Sequence, residues 1–330
     1  MPEVCSWTSL EDACREFVVA ASGHEGSAHI KKLHYYVACR LVLEGGFDPA
    51  YITPRPPFTV TRRGKRRLLA YDPSVATGAE ATVFGGLKTK DIDVVVNVPA
   101  LGPCLTVSMK GSLNAYRNLT NRLEEAVGDC TNIHMAYAPL VYGFLHVFRA
   151  NREGPIPASG VRFLKSHKQR EGHVAAQDVA ITSDGRISQN IFKYAQAMMR
   201  LTGRRDLRND ASRYEAIGLL LLEGGDGQEG VRYANYPDSD SAICFDHFFP
   251  TLYKQYELRF VYGAPNLKHQ TQRLYWDPES PMLSEPLAER FPVRLAEADD
   301  LPGDTEEGDE PVPRAVSEAA DQDAPPTASE

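Results

Sequence analysis

Two apolar runs, Ile92 to Val98 and Leu105 to Met109, stand on either side of the turn-forming segment Pro99 to Pro103. Each is short and rich in β-branched residues. Bounded by turn signals, both read as buried strands. An amphipathic segment from Leu113 to Val127 follows, with Ser112 placed as N-cap and Gly128 as terminator, and then a third apolar run, Tyr142 to Phe148. Upstream, Ile30, Leu33, Val37 and Leu41 recur at helical spacing until Gly45 and Gly46. A helix, strands, a helix and a strand in this order require a mixed α/β module, with the sheet covered on both faces, over residues 27–150.

The flanks are less constrained. Thr8 followed by Glu11 forms a capping-box pattern, so residues 1–26 read as an N-terminal helix running to Ala21 and closed by Gly23. Residues 151–296 read as an accessory α+β lobe, or as elements wrapped on the first module. Helices are expected at Ser188 to Leu201 and Ala211 to Glu223, and strand-like pieces at AICFDHFF and YELRFVYG. From Glu297 the chain holds twelve acidic residues, one arginine, five prolines and no aromatic, the composition of a disordered acidic tail.

That tail reverses the meaning of the net charge. The whole chain carries −8, but residues 1–296 hold 35 basic against 32 acidic residues, a body of +3. A nucleic-acid partner is therefore compatible with the charge. Arg55, Arg62, Arg63, Lys65, Arg66 and Arg67 fall in an acid-free stretch whose flanks read as a hairpin, which puts the charges at its tip. The six cysteines form no C-x-x-C pair, which argues against a structural zinc site and a disulfide framework. The longest apolar stretch is too short to span a bilayer, and the acidic N-terminus is unlike a signal peptide. A cytoplasmic protein with no membrane partner is expected.

The chemistry concentrates in the first module. Asp91 and Asp93 straddle Ile92 at the entry to a strand, which turns both carboxylates to one face. The next strand ends in Ser108-Met109-Lys110, so a lysine can converge with Asp93 at the end of the sheet, as a Mg²⁺ site that activates water requires. On a helical wheel begun at Leu113, Glu124 at about 20° and Arg117 at about 40° border the buried arc, and Glu125 at about 120° falls among surface charges. Arg117, Asn121 and Arg122 give that helix a phosphate-contacting side. The histidines, among them His34, show no metal-ligand spacing, and His134 and Tyr142 read as packing residues.

The run KDIDVVV, the run LTVSMK and the helix bearing Arg117 and Glu124 together resemble the PD-(D/E)xK nuclease superfamily, whose fold is that of many restriction endonucleases. The resemblance implies a restriction-endonuclease-like core sheet flanked by helices. It also implies Mg²⁺-dependent hydrolysis of phosphodiester bonds in DNA, double-stranded rather than single, by a homodimer. Asp93 matches the family aspartate and Lys110 the family lysine. Ser108 stands where a carboxylate is expected, a pattern shared with a branch that recruits a glutamate from the following helix, here Glu124. By the same resemblance Asp93, Glu124 and the carbonyl of Met109 hold the metal, with Asp91 beside them and Glu44 as a further carboxylate. Two other readings compete. One is a nucleotidyltransferase using Asp91 and Asp93, with Gly78-Ala79 as an imperfect phosphate-binding turn. The other is a decayed DNA-binding module of the same fold.

Overall fold

The structure, a computed structural model, describes residues 3–19, 27–64, 66–99, 101–156, 172–225, 227–263, 274–277, 280 and 295–296. Lys65 and the expected tail 297–330 lie outside these residues. In chain order the described residues form α1 (Leu10–Val19), α2 (Lys31–Leu43), β1 (Ile52–Thr53), β2 (Phe58–Arg63), β3 (Arg66–Tyr71), β4 (Ala81–Phe84), β5 (Thr89–Ile92), β6 (Val94–Val98) and β7 (Gly102–Ser112). They continue with α3 (Leu119–Ala136), β8 (Val141–Arg149), α4 (Gln189–Leu201), β9 (Ala216–Leu222), α5 (Phe245–Tyr256), β10 (Leu274–Trp276) and β11 (Leu295–Ala296). The chain is mixed α/β.

The central sheet has the order β1-β6-β7-β8-β9. Its first three strands are antiparallel neighbours, and β7, β8 and β9 run parallel. The helix α3 makes the crossover between β7 and β8, as a parallel pair requires. Strand alternation divides the interior in two. Val94, Val96, Val107, Leu145, Val147 and Leu220 pack with α1, α2 and α5. Val95, Phe144, Phe148, Ile217, Leu219 and Leu221 pack with α3 and α4. The central sheet is therefore the middle layer of three. A second sheet, β11-β10-β3-β2, carries the basic hairpin, and β4 and β5 form a separate two-stranded ribbon.

Several expectations change. The N-terminal helix is capped by Ser9, whose Oγ accepts the Asp12 N–H at 3.0 Å, one residue later than the Thr8–Glu11 pattern suggests. Ser112 is not an N-cap. It ends β7, where its Oγ lies 2.9 Å from His146 Nε2. The chain breaks direction at Ala115, with φ +55°, and α3 then runs straight through Gly128 to Ala136. Ala211 to Glu223 is not a helix but contains β9, fully buried on both faces. Periodicity cannot separate a buried strand from a buried helix in so apolar a run. AICFDHFF and YELRFVYG are not strands: Phe245, Phe248, Phe249, Leu252 and Tyr256 line one side of α5, which continues as the π-helical segment Glu257–Tyr262. The segment expected as an accessory lobe thus supplies an edge strand of the central sheet and a helix covering it.

Candidate active site

Between the ends of β6 and β7, the ribbon and α3 lies a polar cleft lined by Glu80, Lys90, Asp91, Asp93, Ser108, Lys110, Ala126, Asp129, Phe144 and Tyr214. The apolar run Ile92 to Val98 is not one strand. It bends at Asp93, so that β5 pairs with β4 and β6 joins the central sheet. The bend aims the Asp93 carboxylate at the neighbouring strand, where Oδ2 accepts the Met109 N–H at 2.6 Å. Burial pushes this carboxyl up to about 6, against the opposing pull of the Met109 N–H and of Lys110 and Lys90. Asp91 also reaches the cleft and accepts a hydrogen bond from Thr82 Oγ1 at 2.6 Å.

Lys110 extends from β7 on the α3 side. Its Nζ lies 3.1 Å from Glu125 Oε1, and Arg122 approaches the other Glu125 oxygen at 3.9 Å. Partial burial raises the Glu125 carboxyl, but the attraction and hydrogen bond of Lys110, helped by Lys90 and Arg122, leave it below its usual range. Ser108 shares a 2.8 Å hydrogen bond with the Tyr142 hydroxyl. Tyr142 is therefore a partner of the site as well as a packing residue.

The cleft brings Asp93, Asp91 and Lys110 together and leaves Glu124 out. Glu124 is exposed and absent from the lining, and Glu125 occupies the position facing Lys110. The physical cause is helix phase. Three residues of 3₁₀ turn, Tyr116–Asn118, precede α3, so its buried stripe runs through Leu119, Ala126, Cys130 and Ile133. Measured from Leu119, Glu125 lies at about 240° beside that stripe and Glu124 at about 140°, on the solvent side. Glu44 is likewise elsewhere. It pairs with Arg40 at the end of α2 and accepts the Tyr253 hydroxyl at 3.3 Å.

Sequence reasoning missed three side chains around this cleft. Asp129 is buried in α3 and bound to Lys90 at 2.6 Å and Lys88 at 3.8 Å. An acid beside the apolar stripe would have marked it, had Gly128 not been read as the helix end. Glu80 comes from the loop before β4, where no local pattern signals a role. His34 sits on α2 with 2% exposure, and burial pulls its imidazole down to about 4, so the ring is neutral. Donor atoms of His34, Glu80 and Asp93 lie within 4.8 Å of one another. A neutral imidazole and two carboxylates, one oriented by a backbone N–H, fit a divalent cation.

The basic residues divide. Arg117, in the turn before α3, and Asn121, on α3, are exposed and do not line the cleft, and Arg122 is tied to Glu125. In the hairpin, the charges are not confined to the tip but occupy the strands: Arg62 and Arg63 are exposed, and Arg66 and Arg67 are half-buried, with Arg67 3.9 Å from Asp48. None of the four lines the cleft.

Among the described residues no helix is long and apolar enough to cross a membrane. No family model matches the chain, and comparison with curated proteins and with solved structures gives no significant similarity.

Proposed function

We propose that the chain is a divalent-metal-dependent endonuclease that hydrolyses phosphodiester bonds in DNA. The observation that carries this reading is the convergence of Asp93 and Lys110, from two adjacent strand ends, on one cleft rich in carboxylates. An antiparallel strand pair followed by a helical crossover to a parallel strand also agrees with the restriction-endonuclease-like core implied by the sequence motifs. A dication bound at Asp93, Mg²⁺ by the resemblance, would neutralise a scissile phosphate and acidify a water. Asp93, with Oδ2 fixed by Met109, presents Oδ1 to the site. Lys110 is fixed by Glu125 and orients the attacking water. Arg117, from the turn ahead of α3, and Asn121 and Arg122, from its first turn, would hold flanking phosphates. Arg62, Arg63, Lys65, Arg66 and Arg67 would contact a more distant stretch of backbone. Double-stranded DNA, a homodimer and the cytoplasm complete the reading.

The test is nicking of supercoiled plasmid by the purified chain with divalent cation. Asp93→Ala and Lys110→Ala should each reduce the rate by at least about a hundredfold. Glu125→Gln should reduce it less, because it positions Lys110 rather than touching the phosphate. Equal nicking by all four proteins would eliminate the assignment. The presence of both Asp91 and Asp93 in the lining favours nucleotidyl transfer as the second reading. Incorporation of labelled nucleoside triphosphate, without plasmid nicking, would select it.

A further inference from the structure

We propose that His34, Glu80 and Asp93 form a binding site for a first-row transition-metal dication, with Mn²⁺ preferred over Mg²⁺. Binding at this site does not depend on the nuclease reading. The inference deepens that reading by naming the ion the cleft would use.

The three donors come from elements far apart in the chain: α2, the loop ahead of β4, and the bend between β5 and β6. His34 is buried, and its Nε2 makes no hydrogen bond. A buried polar atom without a partner is rare in folded proteins and calls for a specific occupant. Nε2 faces Asp93 Oδ1 at 3.5 Å. That separation is too long for a good hydrogen bond. It is the spacing expected of two neighbouring ligands that each lie about 2.1 Å from one shared ion. Asp93 is oriented for this role, because Oδ2 is occupied by the Met109 N–H and Oδ1 is left toward the imidazole.

The surrounding charges do not oppose a cation. Lys110 is taken up by Glu125, and Lys90 by Asp129, so each lysine lining the cleft has its own carboxylate. Glu80 is exposed and, among the described residues, forms no ion pair with lysine or arginine. It can swing the short remaining distance onto an ion held by the other two.

The donor chemistry selects the ion. Mg²⁺ prefers oxygen ligands and retains its waters, whereas imidazole suits the later first-row dications. One neutral nitrogen and two carboxylates supply two negative charges and leave coordination positions open toward the cleft, where water and a phosphate oxygen would bind.

The experiment uses the full chain and Mn²⁺ alone, followed by loss of the free-ion electron paramagnetic resonance signal, with Mg²⁺ as competitor. One Mn²⁺ per chain is expected, held at least about tenfold more tightly than Mg²⁺. Glu80→Gln should weaken Mn²⁺ by about tenfold, and His34→Gln should in addition level the preference over Mg²⁺. Glu124→Gln should change nothing. The proposal is overturned if folded Glu80→Gln binds Mn²⁺ like the parent, if Glu124→Gln weakens it instead, or if Mg²⁺ competes on equal terms. Should His34→Gln fail to fold, the exposed Glu80 substitution decides. Mn²⁺ binding that depends on Glu80, in a chain that never nicks plasmid, upholds the metal site and removes the nuclease reading. Nicking that is equal with Mg²⁺ and Mn²⁺ and indifferent to Glu80→Gln does the reverse.

Discussion

Asp93 is a carboxylate whose burial costs the folded state stability. Its carboxyl ionises near 3.8 when unfolded and near 6 when folded, because burial penalises the charged form. Well below pH 3.8 both states are protonated and nothing is lost. As pH rises from about 4 to 6 the unfolded state releases its proton first, so stability falls through this window and stays reduced above it. His34 works in the opposite sense. Its folded value near 4 lies below 6.5, so the unfolded state binds more protons between the two, and stability rises with pH there. Asp93→Asn isolates the first effect: relative to the parent, it should gain on the order of 2 kcal/mol at pH 7 and almost nothing at pH 3.5. Urea denaturation at both values checks this, and a variant less stable than the parent at pH 7 would show that burial is not the governing influence. Asp93 and Lys110 were legible in the sequence because neighbouring strands bring fixed positions together. Glu125 was not, since a wheel started a few residues early turns the wrong side chain inward, and Asp129 was not, since Gly128 reads as the end of the helix.

At the scale of elements, α3 shows how a local signal misleads. Gly128 looks like a helix end, yet α3 passes through it. A Cβ at Gly128 would meet nothing within 4 Å, and its φ is not positive. Gly128→Ala should therefore stabilise the protein by about 0.5–1 kcal/mol through helix propensity and a less flexible unfolded chain. A rise in the urea midpoint with unchanged slope is the expected readout, and a fall would mean that the glycine has a role in α3 that its open surroundings do not reveal. β9 and α5 were misread for a related reason. Ala216–Leu222 is apolar at every position, so no period marks it as strand or helix, and the aromatic cluster of α5 resembles strand composition until Phe245, Phe248, Phe249 and Leu252 are counted at helical spacing.

At the scale of the molecule, the central sheet is assembled from both halves of the chain. β8 is buried along all nine residues and pairs with β9 over seven positions from Gly143 to Arg149. The join is reinforced by Glu215, fully buried just before β9. It accepts the Tyr142 N–H at 2.6 Å and binds Arg204 at 3.1 Å and Arg259 at 2.7 Å. Removing one member would leave uncompensated charge in the interior. A chain cut after Asn151 would expose an apolar edge strand and should fail to unfold cooperatively in urea. A sharp, reversible transition from that fragment would show that residues up to 151 suffice. The β4–β5 ribbon ties the cleft into the same architecture. One end is rooted at Asp93. The other is gripped by Asn132, whose Oδ1 accepts the Leu87 and Lys88 N–H groups at 2.8 and 3.0 Å and whose Nδ2 donates to the Lys88 carbonyl at 2.9 Å. Gly85 permits the approach, since a Cβ there would strike the Asn132 side chain at 2.2 Å. The ribbon is thus a strut of fixed length between α3 and the sheet. Its four residue pairs act as a ruler, and the gauge of the cleft is set by a count of backbone units rather than by the side chains that line it.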